Sequence, residues 1–117
     1  MILLTMIFLH IVDDYYLQGI LAQMKQKKFW KEQAPDEKYK YDYIWALLMH
    51  SFSWTFMIML PLMLTAGTSP VFYGVFVANS LIHAATDNQK ANKFTINLWQ
   101  DQLIHMAQIV LTFIILG

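Results

Sequence analysis

The sequence predicts an all-α fold, a four-helix transmembrane bundle with both termini extracytoplasmic, and three observations carry that prediction. The 117 residues are 57% hydrophobic and only 14% charged, against about 25% charged in ordinary soluble domains. Four apolar stretches approach the roughly 20 residues that a helix needs to cross a bilayer. The eight basic residues are all lysines, and they occur only in the first and third connections between those stretches.

The elements follow in order within one domain, 1–117. The first span, 1–24, opens at Met1 with no basic segment before it, which predicts an uncleaved anchor rather than a removed signal. It is the least conventional span because Asp13 and Asp14 lie inside it. The connection 25–43 carries Lys25, Lys27, Lys28, Lys31, Lys38 and Lys40. Phe29 and Trp30 sit among these lysines, Ala34-Pro35-Asp36 interrupts the segment, and Tyr39, Tyr41 and Tyr43 alternate with charged residues. That pattern predicts a short interfacial helix and an aromatic belt at headgroup level; a docking surface for a partner or an anionic ligand is the alternative.

The second span, 44–66, contains Pro61, which is expected to kink the helix rather than end it. Gly67-Thr68-Ser69-Pro70 is a tight turn, with Ser69 as N-cap and Pro70 at the first helical position of the third span, 70–87. The connection 88–97 holds Lys90 and Lys93. Asn97 followed by Gln100 predicts a capping box that opens the fourth span, 98–117. Because cytoplasmic loops carry the excess of lysine, the connections 25–43 and 88–97 are expected in the cytoplasm. The chain then reads as a multi-pass protein of the bacterial cytoplasmic membrane.

Net charge is zero, so no bulk electrostatic attraction favours nucleic acid. Cysteine is absent, which removes disulfides and thiolate metal sites and leaves imidazole and carboxylate as metal ligands.

Each apolar stretch carries one histidine: His10, His50, His83 and His105. Three have an aspartate one helical turn away, as Asp14 follows His10, Asp87 follows His83, and Asp101 precedes His105. Positions i and i+4 share a helix face, and the antiparallel spans place all seven groups in the cytoplasmic third of the bundle. Gln18, Ser53, Asn79, Gln108 and Thr112 continue the same stripes as candidates to orient the ligands, since a ligating imidazole usually gives its other N–H to a neighbouring acceptor. One reading is an interhelical hydrogen-bond network or proton relay, each bond worth about 0.6–2 kcal/mol. The other is a divalent-metal site, because carboxylates beside imidazoles in lipid call for a cation to offset their burial.

With nitrogen and oxygen ligands only, zinc, manganese or iron fit, as one or two ions. His10, Asp14, His83, Asp87, Asp101 and His105 are the expected ligands, and His50 is a further ligand or a general base. Asp13 is the least certain of the acidic residues.

At these residues the chain resembles the small bacterial and phage integral membrane proteins catalogued as domain of unknown function 3307. The matching elements are His10-x-x-x-Asp14-Tyr15-x-x-Gln18, the lone His50, His83-x-x-x-Asp87-x-x-Lys90 and Asp101-Gln102-x-x-His105, with lysine just after the first helix. The resemblance covers nearly the whole chain and implies a four-helix membrane protein with these polar positions as its hallmark; no activity comes with it. A fainter likeness links it to membrane-bound metal-dependent hydrolases.

The leading functional expectation is therefore metal-dependent hydrolysis of a lipid headgroup or a phosphorylated small molecule at the cytoplasmic face. His50 and Asp14 are the candidate catalytic residues. Lys90, Gln18 and Gln102 are the candidates for holding the bound anionic group, although Lys90 and Lys93 also read as plain positive-inside anchors. The alternative is a non-enzymatic binding or regulatory membrane module of a phage or its host. A third reading, an ion or proton pathway, is weakened because the outer half of the bundle has few polar residues. Membrane lipid and a second copy of the chain are the expected partners.

Overall fold

A computed structural model describes every residue except Gln18, so that candidate lies outside the described residues. The described chain is all-helical, with six α-helices and no strand. The helices are α1 (Ile2–Val12), α2 (Leu21–Met24), α3 (Lys27–Gln33), α4 (Asp42–Ala66), α5 (Pro70–Asn88) and α6 (Leu98–Leu116). The molecule is elongated, 46 × 28 × 22 Å. α4 is the central element and packs against α1, α5 and α6.

Local chemistry explains most of the boundaries. The Ser69 side chain accepts from the Phe72 amide at 3.1 Å, and Pro70 occupies the first helical position of α5. Asn97 and Gln100 form the expected reciprocal capping box, both bonds being 2.9 Å, which satisfies two amides otherwise left bare at the start of α6. α4 continues through Pro61 and stops at Gly67, whose φ of +74° suits a residue without Cβ.

The first apolar stretch departs from the expected 1–24 span. α1 passes into a π-helical turn, Asp13–Leu17, and Gly19 then takes φ +54° before the short α2 and α3. A π turn carries one more residue per hydrogen-bonded loop than an α turn. Here it coincides with the adjacent aspartates, and Asp13 is 1% exposed. A second π-helical turn, Gln89–Lys93, follows α5 directly, so helical structure extends well into the expected connection 88–97.

Among the described residues, one helical run, Glu37–Ala66, is long and apolar enough to cross a membrane. α1 is too short to count, and α5 and α6 carry Asn79, His83, Asp87, Asp101, Gln102, His105 and Gln108 within their length.

The interior is layered along the long axis. An apolar core of Met6, Trp54, Ile58, Met59, Leu62, Phe72 and Ile109 fills one part. Beside it lies a hydroxyl and amide layer, in which Ser80 bonds Thr55 at 3.1 Å and Asn79 bonds Thr112 at 2.7 Å. The histidines and aspartates form the next layer, toward the ends joined by the segments 25–43 and 88–97. Trp54 borders both the apolar core and the histidines.

Candidate metal centre

α1 and the π-helical turn after it, α4, α5 and α6 all contribute to one buried cluster. All four histidines are fully buried, and Asp13, Asp87 and Asp101 are at most 3% exposed. Asp14 is slightly more open, with a side chain 9% exposed. His50 Nε2 lies 3.2 Å from Asp14 Oδ1 and 3.4 Å from Asp87 Oδ2. His105 Nε2 lies 3.2 Å from Asp101 Oδ1 and 3.6 Å from Asp87 Oδ1. His83 stacks on His105 with ring centroids 4.1 Å apart.

Three overlapping trios place ligand atoms within 4.8 Å of one another: Asp14, His50 and His83; His83, Asp87 and His105; Asp14, Asp101 and His105. Two of them are the two-imidazole, one-carboxylate set that zinc and non-haem iron accept. Five of the six predicted ligands belong to these trios, and His50 joins them.

His10 does not. Its Nδ1 accepts from Trp54 Nε1 at 2.6 Å, which assigns the proton to Nε2, and Nε2 donates to Gln102 Oε1 at 2.9 Å. With both ring nitrogens engaged, His10 orients Gln102 instead of binding an ion. Gln102 Nε2 in turn donates to Asp101 Oδ2 at 3.0 Å and Asp14 Oδ2 at 3.3 Å. The glutamine thus holds two candidate ligands in place, and its side chain is taken up by His10 and the two aspartates.

A second oriented chain reaches the site from the amide layer. Asn79 Nδ2 donates to Thr112 Oγ1, so its Oδ1 faces Gln108 Nε2 at 3.2 Å. Gln108 Nε2 also donates to the Asn79 carbonyl at 3.1 Å, which leaves Gln108 Oε1 as the acceptor facing His105 Nδ1 at 3.1 Å. That bond turns Nε2 toward the carboxylates of Asp101 and Asp87. His105 Nε2 and Asp101 Oδ1 are both buried without a hydrogen-bond partner among the described residues, as are His83 Nε2, His50 Nδ1 and Asp13 Oδ2.

Two lysines complete the electrostatics. Lys25 is 7% exposed and donates to Asp87 Oδ2 at 2.9 Å, an ion pair that sequence reasoning missed by treating Lys25 as part of the cytoplasmic connection. Asn92 fixes this segment by donating to the Lys25 carbonyl at 2.9 Å and accepting from the Lys27 amide at 2.6 Å. Lys90 Nζ lies 3.6 Å from Asp101 Oδ2, so its charge is turned toward the site's own carboxylate. Asp13 Oδ1 accepts from Ser53 at 2.6 Å while Oδ2 faces His50 Nδ1 at 3.8 Å, which makes this least expected acid an integral member of the cluster. Trp54 and Lys25 carried no pattern of their own: each is a common interfacial or core residue type, and only the tertiary contact reveals its role.

Comparison with family models, with curated proteins and with solved structures finds no match to this chain.

Proposed function

We propose that the protein is a membrane-embedded helical bundle that binds a divalent cation through Asp14, His50, His83, Asp87, Asp101 and His105. The observation that carries this reading is the fixed orientation of His105. Its Nδ1 is hydrogen-bonded to Gln108 Oε1, and its buried Nε2, without a hydrogen-bond partner among the described residues, faces two carboxylates inside the bundle. Carboxylates so gathered repel one another unless positive charge lies among them, and burial removes the water that would screen them. Stacking of His83 on His105 opposes filling the site with two imidazolium rings instead. Zinc, manganese and iron suit this donor set.

The membrane assignment rests on an inverted distribution of polarity. Phe8, Trp45, Phe52, Leu81, Leu103 and Ile114 point outward, each between 58% and 69% exposed, while the interior at the same level holds histidine, aspartate, asparagine and glutamine. Water-soluble monomers rarely expose continuous apolar surface of this extent, whereas a bundle in lipid does so on every helix. α5, with 19 residues, is about 28 Å long at 1.5 Å per residue, close to the roughly 30 Å hydrocarbon thickness. The lysine distribution supports four crossings with both termini outside and the segments 25–43 and 88–97 in the cytoplasm. Resemblance to the family catalogued as domain of unknown function 3307 rests on the same polar positions.

A second reading, metal-assisted hydrolysis of a lipid headgroup or phosphorylated small molecule, is favoured by Asp14. It alone among the six ligand residues is not fully buried, giving the site one edge from which a substrate oxygen can approach. A bound cation there would lower the pKa of a coordinated water.

The test is thermal unfolding of chelator-stripped protein in detergent, followed by intrinsic tryptophan fluorescence. Adding zinc or manganese raises the midpoint of the wild type and leaves Asp101→Ala unmoved. An equal response of both proteins, or none of either, refutes the cation reading. A reporter fused near Lys28 reads cytoplasmic on this account, and a periplasmic signal overturns the topology. Phosphate release from lipid and nucleotide substrates, lost in Asp87→Asn, separates an enzyme from a binding protein.

A further inference from the structure

The three ligand trios have room for more than one ion, but the charge around them does not call for two. Asp13, Asp14, Asp87 and Asp101 bring four negative charges. Lys25 Nζ, 2.9 Å from Asp87, and Lys90 Nζ, 3.6 Å from Asp101, return two positive ones. Metal-ligating imidazoles are neutral, so the histidines add nothing to this balance. What remains is an excess of two negative charges, which one divalent cation neutralises.

Building on the cation reading above, we infer that the centre takes a single divalent ion, with Lys25 and Lys90 standing as internal cations where a second ion would otherwise be required. Lys25 is the stronger of the two, because its ammonium is buried and sits on a carboxylate oxygen that also lies 3.4 Å from His50 Nε2 and 3.8 Å from His83 Nδ1. A second ion using Asp87 Oδ2 would have to displace that ammonium into a low-dielectric interior, where like charges repel strongly. The clamp of Asn92 on the Lys25 carbonyl keeps the lysine's backbone next to the site. The chain thus contains its own substitute for part of a two-metal centre.

The prediction is a stoichiometry set by charge. Chelator-stripped protein is loaded with manganese or zinc in detergent, freed of excess metal by gel filtration, and its bound metal counted by elemental analysis. Wild type holds one ion per chain. The double variant Lys25→Met with Lys90→Met, which restores all four negative charges, holds two. The charge-balanced variant Lys25→Met with Asp13→Asn, which removes one charge of each sign and none of the six ligands, keeps one, and it guards the test if the double lysine variant fails to fold. Two ions in the wild type, one ion in a folded double lysine variant, or none in the balanced variant would overturn the single-ion inference. No ion in any of the proteins would instead refute the cation reading beneath it.

Discussion

The two halves of the bundle interior are built on opposite terms. In the apolar half, Met6, Ile58, Met59, Leu62, Phe72 and Ile109 pack by van der Waals contact, with Asn79 Nδ2 donating to Met59 Sδ at 3.8 Å on the side of the amide layer. In the polar half, four histidines and four aspartates occupy the same kind of buried space, with five ring or carboxylate atoms left without a hydrogen-bond partner among the described residues. Packing alone explains the first half. It does not explain the second, because hydrophobic side chains of similar volume would fill that space without the cost of burying charge. The contrast sets apolar packing at one end of the molecule against a buried ionisable cluster at the other.

That division can be broken at its strongest point first. His105→Ala removes the imidazole shared by two ligand trios, and the expected loss in cation affinity exceeds the roughly 100-fold upper end seen for changes to the partners of ligands. Isothermal titration with manganese measures it, and a variant binding within a few-fold of wild type would remove His105 from the site.

Gln102→Ala leaves every ligand in place but frees Asp14 and Asp101 from the amide that spaces them. Affinity falls by roughly 10–100-fold while the ion count stays the same. A lost ion would make Gln102 a ligand; an unchanged affinity would make its bonds incidental.

The apolar half responds in the other measurement. Ile58→Ala lowers unfolding stability by about 2 kcal/mol, the low end of core truncations, since in the proposed lipid setting packing is the main term to lose. Its cation stoichiometry is unaltered. Smaller still is Asn97→Ala at the capping box of α6, which costs about 1 kcal/mol and loosens the first turn that carries Asp101. Stability curves of the two variants with and without bound metal check both values. Metal loss in Ile58→Ala would join the halves that the account keeps separate.

The sequence made part of this legible. One histidine per apolar stretch and the i+4 aspartates located the cluster because helix geometry converts that spacing into a shared face. The caps at Ser69 and Asn97 were legible for the same reason, being local. What escaped the sequence required long-range contact. His10 has the same His-x-x-x-Asp spacing as His83, yet Trp54, 44 positions away, occupies its nitrogen. Lys25 looks like any lysine flanking a membrane helix until Asp87, 62 positions away, is placed beside it. The π-helical turn Asp13–Leu17 also escaped hydropathy, which registers the apolar residues on both sides of Gly19 but not its left-handed backbone.

The metal content of the protein purified in detergent, with Asp101→Ala and His83→Ala alongside, tests the proposed cation site most directly. Elemental analysis of the wild type is expected to return one divalent ion per chain, and both variants should fall well below one. A wild type free of stoichiometric metal even after loading with zinc, manganese or iron would contradict it, and the buried histidines and aspartates would then be a hydrogen-bond network without an ion.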